Sequence, residues 1–170
     1  YLNGTAVPGA NASTWTFTPI LTGFYRVYVN VTDKLGVKAK SNIASVTVNP
    51  TLSVSISPTS ATIDLGQSKT FTSTVSGGTP PYHYQWYLNG TAVSGANVSS
   101  WTFTPISAGF YNVYLNVTDN IGATAKSNVA SVRVNPVLTV SISPTIVTID
   151  LGQSVTFSSI VTGGTSPYSY

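Results

Sequence analysis

Cysteine, methionine and glutamate are missing from the 170 residues, histidine occurs once, and charged side chains make up only 6% of the chain, against roughly 25% in an ordinary soluble domain. Without cysteine there is no disulfide, no thiol nucleophile and no thiolate zinc site. With four aspartates as the only acids and one histidine, paired carboxylates and metal-ligating clusters have too little material. The expectation is therefore no catalytic residue, no cofactor and no metal, so not an enzyme. Seven basic residues give a net charge of +3, which makes a nearly uncharged surface and no basic face for nucleic acid. No apolar run is long enough to cross a membrane and no secretory leader is visible, so any export signal or anchor is expected outside this segment, with no membrane contact within it. What remains is a 42% hydrophobic chain whose polarity comes from Ser, Thr, Asn and Tyr. That combination fits a packed core under a neutral, hydroxyl-rich surface outside the cell. The lack of Cys and Met also leaves oxidants little to attack.

An internal repeat dominates the rest. Tyr1-Leu2-Asn3-Gly4-Thr5-Ala6-Val7 returns as Tyr87-Leu88-Asn89-Gly90-Thr91-Ala92-Val93, a shift of 86 positions, and 61 of the 84 positions that align at this shift are identical. The period is too long for a helical solenoid and matches one β-sandwich domain. No helical periodicity is present. Short alternating segments rich in Val, Thr, Ile, Tyr and Phe recur between turn clusters. From Leu52 these are Leu52–Ile56, Thr62–Leu65, Thr70–Val75, Tyr82–Leu88, Trp101–Thr104, Phe110–Val117 and Ala130–Val134. The Asn89-Gly90 pair reads as a tight hairpin turn. The fold class is all-β: tandem antiparallel sandwiches of about seven strands each, without a disulfide.

The order of residues within a period resembles an immunoglobulin-like domain of the kind repeated in archaeal surface-layer and adhesin-like proteins, where such modules are grouped with PKD-like domains. Trp86-Tyr87-Leu88-Asn89-Gly90 matches the third strand, with Trp86 as the core tryptophan. Trp101-Thr102-Phe103-Thr104-Pro105-Ile106 matches the fifth, with Trp101, Phe103 and Ile106 inward. Gly109-Phe110-Tyr111-Asn112-Val113 matches the run with the tyrosine corner, and Gly66–Ser73 the second strand. Ser73 and Val113 stand where antibody domains carry their cysteines. The resemblance implies an Ig-like fold, an extracellular or cell-surface location and a structural or adhesive role.

In this frame residues 1–50 are the C-terminal part of one sandwich, 51–136 a complete one, and 137–170 the N-terminal part of a third. The partial ones are expected to be completed by the continuing chain of a longer array, or by the next copy of the chain through strand pairing; both lead to a fibre. Self-association, head to tail and laterally, is thus the expected partnership.

Six N-glycosylation sequons fall at three repeated offsets: Asn3 and Asn89 in the Asn-Gly turn, Asn11 and Asn97 in a loop, Asn30 and Asn116 on the sixth strand. On that strand Tyr25, Val27, Val29 and Val31 read as core, so Arg26, Tyr28 and Asn30 point outward, and Tyr114 and Asn116 likewise. Tyr28, Tyr87 and Tyr114 are candidates for lateral contact or for stacking on sugar rings, against the plainer reading of outward tyrosines that shield cross-strand pairs. Asp33, Asp64, Asp119 and Asp150 read as turn formers, and a cation site is conceivable only at domain junctions. His83 is Ser169 in the other copy, and Lys34 and Lys38 are Asn120 and Thr124, so neither recurs as a site. The expected function is a structural element of an extracellular filament or cell-surface array. The alternative is a carbohydrate-binding or adhesin spacer module of a large secreted protein, with glycans as partners.

Overall fold

A computed structural model describes residues Tyr1–Tyr170, all in strands, turns or loops. No helix is long and apolar enough to cross a membrane. The chain divides into two compact units, Tyr1–Thr51 and Leu52–Tyr170.

The first unit holds β1 (Gly23–Val27), β2 (Asn30–Thr32), β3 (Lys38–Lys40) and β4 (Ala44–Val48). β1 pairs antiparallel with β4, and β2 with β3.

The second unit begins with a complete sandwich. Its strands are β5 (Ser53–Ser57), β6 (Ser60–Asp64), β7 (Lys69–Ser76), β8 (His83–Leu88), β9 (Thr91–Ala92), β10 (Ser100–Phe103), β11 (Gly109–Thr118), β12 (Thr124–Lys126) and β13 (Ala130–Asn135). One sheet runs β10-β7-β5; the other runs β6-β13-β11-β8-β9, with β12 also on β11. All pairs are antiparallel except β6 with β13. The period-two alternation sends Phe71 from one sheet and Val113, Leu115, Val117 and Val132 from the other into a common core around Trp86. The indole N–H of Trp86 is not left unpaired: it donates to the Val98 carbonyl at 2.9 Å. Tyr111 makes the expected corner, its hydroxyl donating to the Ser107 carbonyl at 2.8 Å, and Tyr25 repeats the bond to Leu21 at 2.8 Å. Where antibody domains carry cysteines, Val113 is fully buried and Ser73 donates sideways to the Ser99 carbonyl at 2.7 Å. The sandwich is Ig-like and has no disulfide across its core.

Two expectations need correction. Ile106 is 96% exposed, and Pro105 is buried instead. β10 ends at Phe103, so the chain leaves the extended conformation before the alternation reaches Ile106. Val29 and Val31, read as core, are 51% and 59% exposed, whereas their counterparts Leu115 and Val117 are fully buried.

The same contrast marks the end of the chain, where only β14 (Thr139–Ser143) and β15 (Ser158–Thr162) form and pair. Phe157 is 51% exposed where Phe71 is fully buried, and Ile142 is 56% exposed where Ile56 is at 3%. Partners decide which strands exist. β6 pairs only with β13, and its counterpart at 146–150 has no strand on either side and forms none. The first half of β7 pairs with β10, and its counterpart at 155–157 is likewise irregular.

Candidate functional site

The three sequon offsets occupy three different environments. Asn89 adopts the left-handed conformation (φ 49°) ahead of Gly90 (φ 84°), which forms the tight turn its sequence requires. Its amide oxygen accepts the N–H of Asn112 at 2.8 Å, and Asn3 does the same for Arg26 at 2.8 Å. These asparagines extend the strand ladder past the turn, which gives a framework reason for their recurrence. Asn116 lies in the middle of β11 between strands on both edges, and its buried Oδ1 has no hydrogen-bond partner. Asn30, in the first unit, is exposed. Asn97 and Asn11 are exposed in loops outside any strand.

The outward face of the β12-β11-β8 sheet carries the aromatic feature. Tyr87 and Tyr114 sit directly opposite each other and stack at 4.8 Å with 4° between their planes. Lys126 places its ammonium 4.0 Å from the Tyr114 ring centre. β12 and β8 lie on opposite edges of β11, so Tyr114 is covered by a ring on one side and a cation on the other. The first unit repeats the arrangement: Tyr1 and Tyr28 stack at 4.8 Å and 5°, with Lys40 at 4.0 Å from Tyr28. Ring-on-ring stacking with a cation over Tyr114 and Tyr28 suits shielding of the cross-strand pair. Of the three clustered lysines, Lys34, Lys38 and Lys40, Lys40 alone recurs, as Lys126, and it is the one that covers the tyrosine in each unit.

The carboxylates of Asp119 and Asp33 are taken up by backbone N–H groups. Asp119, buried, accepts the N–H of Ala123 at 2.8 Å and of Ile121 at 3.1 Å with one oxygen, and that of Thr79 at 2.8 Å with the other. It thereby ties the β11–β12 hairpin to the loop after β7. Burial alone would raise its pKa, but backbone N–H groups of Thr79, Ala123, Ile121 and Gly122 outweigh this and hold it below the ordinary carboxylate value. Asp33 makes the hairpin half of this arrangement, to Leu35 at 2.9 Å and Val37 at 2.8 Å. His83 is exposed on β8. A recess of about 280 Å³ in the first unit is lined by Tyr1, Trp15, Val27, Tyr28, Val29 and Asn42 together with small Ala, Ser and Thr side chains.

One connection was not foreseen from the sequence. Asn128 grips the backbone of β5, its Oδ1 accepting the Ile56 N–H at 2.8 Å and its Nδ2 donating to the Ile56 carbonyl at 3.2 Å. Ser127 beside it accepts the Leu115 N–H at 2.9 Å and donates to the Asn128 carbonyl at 2.7 Å. The pair stitches the two sheets together where the last strand breaks into β12 and β13. The only signal for it was the recurrence of Ser-Asn as Ser41-Asn42, where Ser41 repeats both bonds.

No protein-family model matches this chain, and no curated protein does. Similar solved structures include the N-terminal four Ig domains of Dscam1 isoform 9.44, at 22% identity and a TM-score of 0.43 over 66% of this chain and 27% of that one. The N-terminal eight Ig domains of DSCAM isoform 1.30.30 match at 22% identity and a TM-score of 0.44, over 71% of this chain and 17% of that one. Fibronectin(III)-like modules of Clostridium thermocellum CbhA match at 24% identity and 0.43, over 48% of this chain and 93% of that one. The chain thus spans about a quarter of the Dscam1 structure.

Proposed function

We propose that the chain is a stretch of an extracellular structural array, of the surface-layer or adhesin-like kind, in which successive Ig-like sandwiches act as rigid spacers. One observation carries this reading: residues that are fully buried in the complete sandwich are half exposed at the same offsets on either side of it, as with Phe71 and Phe157 or Leu115 and Val29. Each exposed face matches a facing half that the repeat itself encodes, residues 1–50 for the segment 137–170 and the reverse. In the assembled protein those faces are covered by further repeats, and the domain limits are 1–50, 51–136 and 137–170. The work is mechanical and steric, with partners of the same kind. Glycan sits on Asn97 and Asn11, which are exposed and outside the ladder, while Asn89 serves the turn and Asn116 lies within β11 with strands on both edges.

Electron microscopy of the protein in its native source tests the array: a beaded thread of sandwich-sized units is expected, and compact isolated particles would overturn the reading. Glycopeptide mapping of the same material separates Asn97 from Asn116. Occupancy confined to Asn116 would reverse the assignment of glycan sites.

A further inference from the structure

We infer that the end of each sandwich carries a docking site for the next repeat, a socket made by Asp64 and Asn135 that receives Thr165. Asp64 ends β6 and Asn135 ends β13, and because these strands are parallel and in register the two residues lie side by side at one pole. Thr165 belongs to the following repeat, in the Gly163-Gly164-Thr165 loop after β15. Its hydroxyl donates to Asp64 Oδ1 at 2.6 Å and accepts from Asn135 Nδ2 at 2.8 Å, so donor and acceptor are both engaged. A short bond from a hydroxyl to a carboxylate is among the stronger hydrogen bonds a protein makes. Asn135 is itself fixed: it is buried, and its carbonyl accepts the Leu65 N–H at 2.9 Å. The loop is anchored a second time, the Gly164 N–H donating to the Pro136 carbonyl at 2.8 Å.

Glycine is required for this approach. Gly163 and Gly164 have φ of 71° and 62°, and a Cβ on Gly163 would collide with the Val137 carbonyl, while one on Gly164 would come within 2.8 Å of Leu138 Cδ1. Only a loop without side chains there can lie on the linker and present Thr165 to the socket. Both halves of the device are written into the period: Asp150 and Asn49 match the socket residues, and Gly77, Gly78 and Thr79 match the plug. The partner is therefore specified chemically as another repeat of this sequence, presenting a Gly-Gly-Thr loop. The inference deepens the array reading and rests on it for its role, since a socket that recurs at a fixed offset gives each junction the same geometry.

Amide hydrogen exchange by NMR on the whole chain tests it, with the Gly164 N–H as reporter of the junction and the Leu115 N–H, bonded inside the sandwich, as reference. Thr165→Val keeps the shape and removes the hydroxyl. It should raise Gly164 exchange about tenfold or more and leave Leu115 unchanged, while Thr165→Ser keeps Gly164 near its original rate. Unchanged Gly164 exchange in Thr165→Val, or an equal rise at Leu115, would overturn the socket. The array itself is judged separately by microscopy: a protected Gly164 in a protein that forms no thread keeps the socket and removes the array.

Discussion

The sharpest test compares one residue with its own copy. Phe71 and Phe157 share the surroundings Thr-Phe and the same offset in the period, yet one is fully buried and the other 51% exposed. Truncating a buried phenylalanine removes its transfer free energy and leaves a cavity between two packed sheets, at a cost of about 3–5 kcal/mol. A domain of 86 residues has a total stability of about 4–13 kcal/mol, so Phe71→Ala should consume a large fraction of it. With a urea dependence of about 1 kcal/mol per molar for this size, the midpoint should fall by about 3–5 M. Phe157→Ala removes a half-exposed ring from outside the complete sandwich and should leave its transition within about 0.5 kcal/mol. The assay is urea unfolding followed by tryptophan fluorescence in a Trp15→Phe background, so that Trp86 and Trp101 report. Equal effects of the two substitutions, or a Phe71→Ala shift below about 1 M, would refute the claim that cover by the facing half decides what each repeat contributes.

Three further outcomes follow from single contacts. Asp119 is held below its ordinary value, so it contributes stability that is present above the unfolded-state pKa of about 4 and lost as pH falls through the lower folded value; Asp119→Asn should flatten the acid limb of a thermal-melting profile measured from pH 7 to 2. Gly78→Ala should destabilise more than Gly122→Ala by at least about 1 kcal/mol, because both have positive φ but only at Gly78 would a Cβ meet Leu52 at 2.9 Å and the Asp119 carboxylate at 3.0 Å; paired urea titrations measure the difference. Asn128→Ala should cost about 1–3 kcal/mol by leaving the backbone N–H and carbonyl of Ile56 without their partner, read in the same titrations against Asn120→Ala as an exposed control.

Much of this was legible in the sequence because it rests on local rules. Period-two alternation found seven of the nine strands of the complete sandwich and missed the short β9 and β12; Asn89-Gly90 announced its turn, and the tyrosine corner followed from the Ig-like resemblance of Gly109–Val113. The failures have a common origin in non-local partners. Ile106 was placed inward by extending an alternation beyond the strand that sustains it. Val29 and Val31 were read as core because composition does not show whether a facing sheet is present. Asn128 and Thr165 were passed over because their partners lie 72 and 30 or more residues away, and an asparagine or threonine among so many others carries no mark of its own. Of the candidate sites, the asparagine sequons were found by pattern, but only the fold separates a loop amide from one that serves a ladder.

The parallel pairing of β6 with β13 decides how the sandwich answers a pull. The chain enters through β5 and β6 and leaves through β13, so a pull on the two ends of the sandwich, as the proposed array would apply, drags these two strands past each other lengthwise. Antiparallel neighbours joined by a hairpin peel apart one bond at a time. A parallel ladder running from Ser60–Ser131 to Asp64–Asn135 must yield along its whole length at once. Such a load falls in shear on five residue pairs, next to the pole that carries the proposed socket, so in an array of this kind each sandwich would resist extension at the point where force enters it.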